Sequence, residues 1–482
     1  MSPTRHRLAA RRGARPMLVL AFAVTGATLT TAQTARVDTV LAIAHVTVVD
    51  VDGEGARPDH TVVVEGDRIT AVGPSDRVRV PSNARLLDGR GKFLIPGLWD
   101  MHVHGFWSPA ITATFAPLFV ANGVTGVRDM GSPLPVDQQL AWQREIATGR
   151  RLGPRVVLAG KIVDGPSPIW PGSIAVADPA QGRAAVRSLQ RDGVGFVKVY
   201  ELLPRLAFFA IADEARRLDL PFEGHVPSSV SALEAAEAGQ RSIEHLSGLL
   251  AAASLRGDEP RTDSRPWGPE VKALLDSYDA TRAARVFARL QQLGTWQSPT
   301  LITIATVLGD LARGGGREGP NEKYLPRSER EEWRRMADAM TVTLTEEDRE
   351  VLRRYVTLHL TLAGEAARAG VPILAGSDVP KPHLVPGFSL HDELALLVDA
   401  GLSPREALRA ATSNPARFIG REHELGTVAV GKLADLVVLD ADPLASIRNT
   451  RRVHAVVLGG RLLDRVALDR VLREVEADAG SR

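Results

Sequence analysis

The stretch Leu94–Gly105, LIPGLWDMHVHG, sets a Pro-Gly turn ahead of an apolar strand that ends in two histidines one residue apart. Side chains i and i+2 of a strand share a face, so His102 and His104 point the same way from its C-terminal end. Two neutral imidazoles aimed at one point are half of a metal site, or else a polar strand end. The strands that follow decide between them.

Downstream the pattern alternates strand and helix, the signature of a parallel sheet with helices outside it. Candidate strands are GLWDMHVH, GVTGVRDM (Gly123–Met130), PRVVLAG (Pro154–Gly160), GFVKVY (Gly195–Tyr200), PFEGHV (Pro221–Val226), RSIEHL (Arg241–Leu246), GTWQSPTLI (Gly294–Ile302) and VPILAGSD (Val371–Asp378). Eight is the number that closes a (β/α)8 barrel. On either side of this region, Leu41–Pro74 and Gly426–Asp464 alternate apolar and polar residues in short runs broken by Gly, Asp and Pro. These read as antiparallel strands of one small β domain built from both chain ends. The expected organisation is α/β: a TIM-like barrel over 96–420, a β-sandwich from 38–95 and 421–470, and a helical insertion over about 251–360. That insertion is either a cover for the barrel mouth or helical padding.

The remaining bounds are compositional. A chain of 482 residues with 44% hydrophobic content and a net charge of +2 is a globular protein of balanced charge. Its arginines are spread rather than gathered in a stripe, which argues against nucleic acid as a partner. Residues 1–32 have an arginine-rich head, an apolar run from Met17 to Leu29 and small residues to Ala32, the pattern of a secretory signal peptide. The run falls short of the roughly 20 residues of a spanning helix, so no stable membrane span is expected, and the mature protein is expected to be exported, periplasmic or secreted. The chain has no cysteine, so a metal must be held by His, carboxylate or something rarer.

Barrel enzymes carry reactive groups at the C-terminal ends of their strands. Here the first candidate ends in His102 and His104, the fourth holds Lys198, the fifth ends in His225, the sixth in His245 and the eighth in Asp378. An ammonium has no lone pair for a metal, but Lys198 lies between Val197 and Val199, and burial disfavours its charged form. A neutral buried amine reacts with carbon dioxide to give a carbamate, a carboxylate long enough to bridge two cations.

This set resembles the amidohydrolase superfamily, in particular its binuclear members with a carboxylated lysine on the fourth strand. IPGLWDMHVH, GVTGVRDMG, FVKVY, IEHL, LAGSDVP and ALRAATSNPARFIG…LGTVAVGKLADLVVLD resemble the imidazolonepropionase-like and Xaa-Pro dipeptidase (prolidase)-like branch. The resemblance implies that His102, His104 and Asp378 take the more buried metal, that His225 and His245 take the more exposed one, and that carbamylated Lys198 bridges them. It implies two divalent cations, with zinc the default among Zn, Mn, Fe and Co, and a homo-oligomer. The reaction implied is hydrolysis of a C–N bond in a small substrate such as a dipeptide or N-acyl amino acid. In it Asp378 is both ligand and general acid/base for a metal-activated hydroxide. A mononuclear deaminase or cyclic-amide hydrolase shares the histidines and the aspartate but does not need Lys198. Phosphotriesterases and lactonases share the lysine but usually lack the terminal sandwich, and a non-catalytic relative is expected to have lost ligands.

Three further residues are candidates for the substrate. Tyr200 shares a strand face with Lys198 and either steadies an oxyanion or packs at the rim. Arg128 and His383 either meet a substrate carboxylate or are structural. His391 reads as a helix residue behind the site, and His6, His45, His60, His359, His423 and His454 as surface or core histidines.

Overall fold

A computed structural model describes residues 40–481 apart from 54, 258–264 and 317. The signal-peptide segment, residues 1–32, lies outside the described residues.

Strands from both ends of the described chain form one mixed sheet. Val40–Val49 pairs antiparallel with Ala56–Glu65, which pairs with Arg68–Pro74, while Phe93–Pro96 lies beside Val40–Val49 and joins it to Leu436–Leu439, Val453–Leu458 and Arg461–Leu463. The period-2 pattern holds on either side of an irregularity between Ile43 and Val46, where His45 has φ 59°: Leu41 and Ile43, then Val46 and Val48, meet Val62, Val64, Leu436, Val438, Ala455 and Val457 in one apolar cluster.

Phe93–Pro96 leads through Gly97 into the first stave of the barrel, Leu98–Val103. Parallel staves follow at Val124–Asp129, Arg155–Leu158, Val197–Val199, Phe222–Gly224, Ser242–Glu244 and Trp296–Ser298. Between the first two staves the approach is close enough to require glycine: a Cβ on Gly126 would lie 2.1 Å from the Trp99 ring. The helices outside are specified locally. Asp178 accepts from Gln181 N at 2.8 Å, Pro179 opens Pro179–Asp192, Gly193 closes it at φ 82°, and Ala185, Val186 and Leu189 are its buried stripe.

Two staves depart from the predicted strands. The third is split: Arg155–Leu158 pairs with the second stave, and a separate strand Ile162–Asp164 pairs with the fourth. Gly160, at φ 74°, turns the chain between the two parts. The eighth, predicted over Val371–Asp378, is not a regular strand. It is bridged to its neighbours at Gln297–Ile373 and Val103–Val379. The reason lies in side chains that replace ladder bonds: Asp100 Oδ1 takes Ser377 N at 2.9 Å, and Asp100 Oδ2 takes Ser377 Oγ at 2.5 Å. Met101 N to Ala375 O and Leu374 N to Gln297 O, both 2.8 Å, still close the barrel.

The expected insertion contains part of the helical ring. Ala280–Leu293, just before the seventh stave, packs on Ala232–Glu237 and on Glu346–Arg368, the long helix that leads to the eighth stave. The added material is the run of short helices from Leu301 to Arg313 and the helix Arg327–Thr343. No described helix is long and apolar enough to cross a membrane.

Candidate metal centre

The staves deliver their side chains to one end of the barrel. His102, His104 and Asp378 offer ligand atoms that all lie within 4.8 Å of one another, and all three residues are buried. Asp378 Oδ1 is 3.4 Å from His102 Nε2 and 3.2 Å from His104 Nε2. His245 joins them with its ring centroid 4.6 Å from that of His102, and His225 follows at 4.7 Å from His245. Lys198 is fully buried on the fourth stave, its Nζ 5.8 Å from the Tyr200 ring.

All four imidazoles are held by Nδ1. That of His102 donates to Glu244 Oε2 at 2.8 Å, that of His104 to Gly131 O at 2.5 Å, and that of His225 to Glu201 Oε1 at 3.0 Å. The fourth, on His245, meets Thr300 Oγ1 at 2.5 Å, and Thr300 gives its own proton to Pro299 O, so it accepts from the ring. With the proton fixed on Nδ1, each Nε2 carries a lone pair, the state a metal ligand needs. Loop geometry maintains these bonds. Asp129 accepts from Gly105 N at 2.6 Å and Gly131 N at 3.1 Å and so presents the Gly131 carbonyl to His104.

The electrostatics agree. Burial, then the charge on Lys198, holds His102 and His225 well below the usual imidazole range; burial pushes His245 down to about 3 and the Lys198 ammonium down to about 8. Burial alone would raise Asp378, but Lys381 and the histidines outweigh it and keep the carboxylate ionised. His102 Nε2, Lys198 Nζ and Asp378 Oδ1 are buried with no hydrogen-bond partner. Leaving such groups unmet costs about 1–3 kcal/mol each, and a cation shared between His102 Nε2 and Asp378 Oδ1 removes that cost for those two. The donor set therefore fits divalent metal.

Of the three substrate candidates, one reaches the site. Tyr200 is 9% exposed, packs against His225 with ring centroids 4.1 Å apart and planes tilted by 39°, and its hydroxyl accepts from Trp170 Nε1 at 2.7 Å, so the phenolic proton is free to be donated. Arg128 does not reach it. Its guanidinium is fully buried one layer beneath the histidines, bonded to Glu223 Oε2 at 2.6 Å, Ser242 Oγ at 2.9 Å and both oxygens of Glu244. The expectation that it meets a substrate carboxylate is therefore corrected: Arg128 neutralises the acid that holds His102.

His383 is also engaged elsewhere. Its Nδ1 is 2.8 Å from Glu322 Oε1 and its Nε2 is 3.8 Å from Asp310 Oδ2, so it ties the loop after Asp378 to the added helices. The Glu322 bond, against burial and with help from Asp310 and Glu318, raises the imidazole above its ordinary value. Glu322 is held below the usual carboxylate range because the His383 bond and the Gly319 N–H outweigh burial. The sign follows for each partner. The histidine's contribution is complete below about pH 6.5 and is lost as pH rises through its raised value; the carboxylate's is complete above about pH 4.3 and is lost as pH falls through its lowered value. His383→Ala should therefore lower stability by about 1–2 kcal/mol near pH 5.5 and by less near pH 8.5, read from urea midpoints at the two pH values. Equal losses at both would remove the ionic part of this contact.

Sequence reading missed Glu244, Glu201, Trp170 and Lys381. Glu244 had a local signal, since it precedes His245 directly in IEHL. Lys381 lies three residues beyond Asp378, with its Nζ 3.9 Å from Asp378 Oδ2.

Comparison with known proteins agrees with this architecture. An imidazolonepropionase from Geobacillus kaustophilus is 32% identical over 147 residues, 29% of this chain and 33% of the relative, so the match spans about a third of that protein's length. A structure from Bifidobacterium longum, assigned as a prolidase, superposes with a TM-score of 0.66 at 26% identity, over 91% of this chain and 99% of that one. Bottromycin amidohydrolase shares the fold, with a TM-score of 0.70 at 23% identity, over 92% of this chain and 91% of that one. The model of the amidohydrolase family matches residues 93–463. Because that match runs from the strand before the first stave to the last strand of the mixed sheet, it takes in the whole barrel, and the chain belongs to the amidohydrolase family.

Proposed function

We propose that this protein hydrolyses an amide or peptide-like C–N bond in a small substrate such as a dipeptide or N-acyl amino acid, using two divalent cations, zinc by default, and Lys198 as its carbamate. The observation that carries the reading is the common state of the ligand set. Four histidines have Nδ1 committed and Nε2 open, around a buried lysine and an aspartate oxygen that lack partners. The imidazolonepropionase and prolidase likenesses support a hydrolytic reading.

Divalent cations bound there supply a water whose pKa is lowered to about 7 and a Lewis acid for the scissile carbonyl. The chain's own groups do the rest. Asp378, ionised and buried, accepts the proton of the attacking water and returns it to the leaving nitrogen. Tyr200, whose oxygen already accepts from Trp170, donates its proton to the oxyanion. Arg128 and Glu244 keep His102 in its Nδ1–H form. The mononuclear alternative uses His102, His104 and Asp378 but leaves the buried, unpartnered Lys198 without a purpose. The arginine-headed apolar segment of residues 1–32 supports export, which finding the mature chain in periplasm or medium tests.

The test is protein reconstituted with zinc and bicarbonate, assayed on dipeptides and N-acyl amino acids before and after chelation. Turnover that disappears with the metal and returns with it is expected. Fully metal-loaded protein that cleaves no C–N bond in the panel counts against the reading.

A further inference from the structure

With Arg128 committed beneath the site and His383 committed to Glu322, Lys381 is, among the described residues, a cation that faces the metal centre from its rim. Its side chain is 20% exposed, and among the described residues its ammonium makes no hydrogen bond. It is placed by two contacts. Its Nζ stands 4.4 Å from the centre of the Trp170 ring and 3.9 Å from Asp378 Oδ2. Asp378 thus divides its carboxylate, with Oδ1 toward His102 and His104 and Oδ2 toward Lys381.

The surroundings form a wall rather than a salt-bridge network. Trp107 packs edge-on against Trp170 with centroids 5.5 Å apart and reaches His104 at 6.1 Å. Trp170 is tied through its indole N–H to the Tyr200 hydroxyl, and Tyr200 covers His225. An aromatic surface therefore runs from one side of the metal centre to the other, with a single ammonium seated on its middle member. A tryptophan face holds a cation in place without neutralising it, and the aromatic edge beside it suits the carbon skeleton of an amino acid. Three ammonium donors beside an apolar wall, next to the residue that handles the proton, describe a site for an anion attached to an apolar group.

We propose that Lys381, seated on Trp170, is the specificity-determining residue that binds the free carboxylate of the substrate, so that the enzyme selects C-terminally unblocked peptides and N-acyl amino acids over their amides. The inference rests on the hydrolase reading above and narrows its substrate class. The competing role is positional: Lys381 only steadies Asp378.

The experiment compares zinc-loaded wild type with Lys381→Met and Lys381→Arg on N-acetyl-L-alanine and N-acetyl-L-phenylalanine and on the corresponding amides. Loss of one charge-assisted hydrogen bond predicts that Lys381→Met raises KM for the free acids by about 10–100-fold relative to the amides, that any loss of kcat from the missing charge beside Asp378 falls on both series alike, and that Lys381→Arg largely reverses the KM effect. A loss equal on acids and amides, with no selective rise in KM for the acids, assigns Lys381 to Asp378 alone and overturns the proposal, as does no loss at all. Binding of the same acids is read independently from quenching of tryptophan fluorescence, with Trp170→Phe identifying the reporter. If no probe is turned over, quenching by the acids in wild type that is lost in Lys381→Met still upholds the anion subsite, while the hydrolase reading fails. No quenching in wild type, or equal quenching in both, overturns the subsite.

Discussion

Asp378→Asn lowers kcat by about 10²–10⁴-fold, the range expected when a positioned acid/base group is lost, while much of the metal stays bound. The asparagine oxygen can still occupy the place of Oδ1, 3.2 Å from His104 Nε2 and 3.4 Å from His102 Nε2, so ligation geometry is largely preserved. What the amide cannot do is accept a proton from water and deliver it to nitrogen. The loss therefore falls on kcat rather than KM, a split that steady-state kinetics on the wild-type substrate resolves. Metal content measured on the same sample guards the interpretation: a dead variant that has also lost its metals would make Asp378 a ligand and nothing more. Near-normal turnover would remove it from proton transfer.

The gathering of the six candidate residues at one barrel mouth was legible because two simple rules locate them. Strand period puts His102 and His104 on one face, and barrel architecture puts strand ends at one mouth, so histidines 225 and 245, Lys198 and Asp378 follow without any contact information. The groups that hold them were not legible, because each Nδ1 partner comes from a different element: Glu244 from the sixth stave, Gly131 from the loop after the second, Glu201 from the end of the fourth, Thr300 from beyond the seventh. Arg128 shows the same limit from the other side. It shares the interior of the barrel with the site, yet Glu223, two residues before His225 and hence on the same strand face, sits one layer down and draws the guanidinium there. Sequence shows that an arginine is near a strand end, but depth depends on which acids the neighbouring staves bring inward. The irregular eighth stave was hidden for a related reason, since Asp100 replaces backbone acceptors and so lets VPILAGSD depart from strand geometry.

Lys198→Met separates function from folding. The methionine has nearly the length of the lysine stem and lacks its amine, so it cannot form a carbamate, and the oxygen pair proposed to bridge two cations is gone. Metal content is expected to fall from two per chain to one or none, with activity at least about 10²-fold lower, whatever the bicarbonate concentration. Stability should move differently. Lys198 Nζ is a fully buried polar atom without a hydrogen-bond partner, and burying an amine in that state opposes folding. Exchanging it for a thioether of similar shape removes that opposition. Metal-free Lys198→Met should therefore unfold at a temperature no lower than metal-free wild type, while the stabilisation that added zinc gives to wild type is reduced or absent. Elemental analysis and two thermal scans, with and without zinc, read all of this. A metal-free variant that unfolds well below wild type would assign Lys198 a structural role in the barrel core. One metal in both proteins would leave the carbamate without support and favour a mononuclear site built on His102, His104 and Asp378.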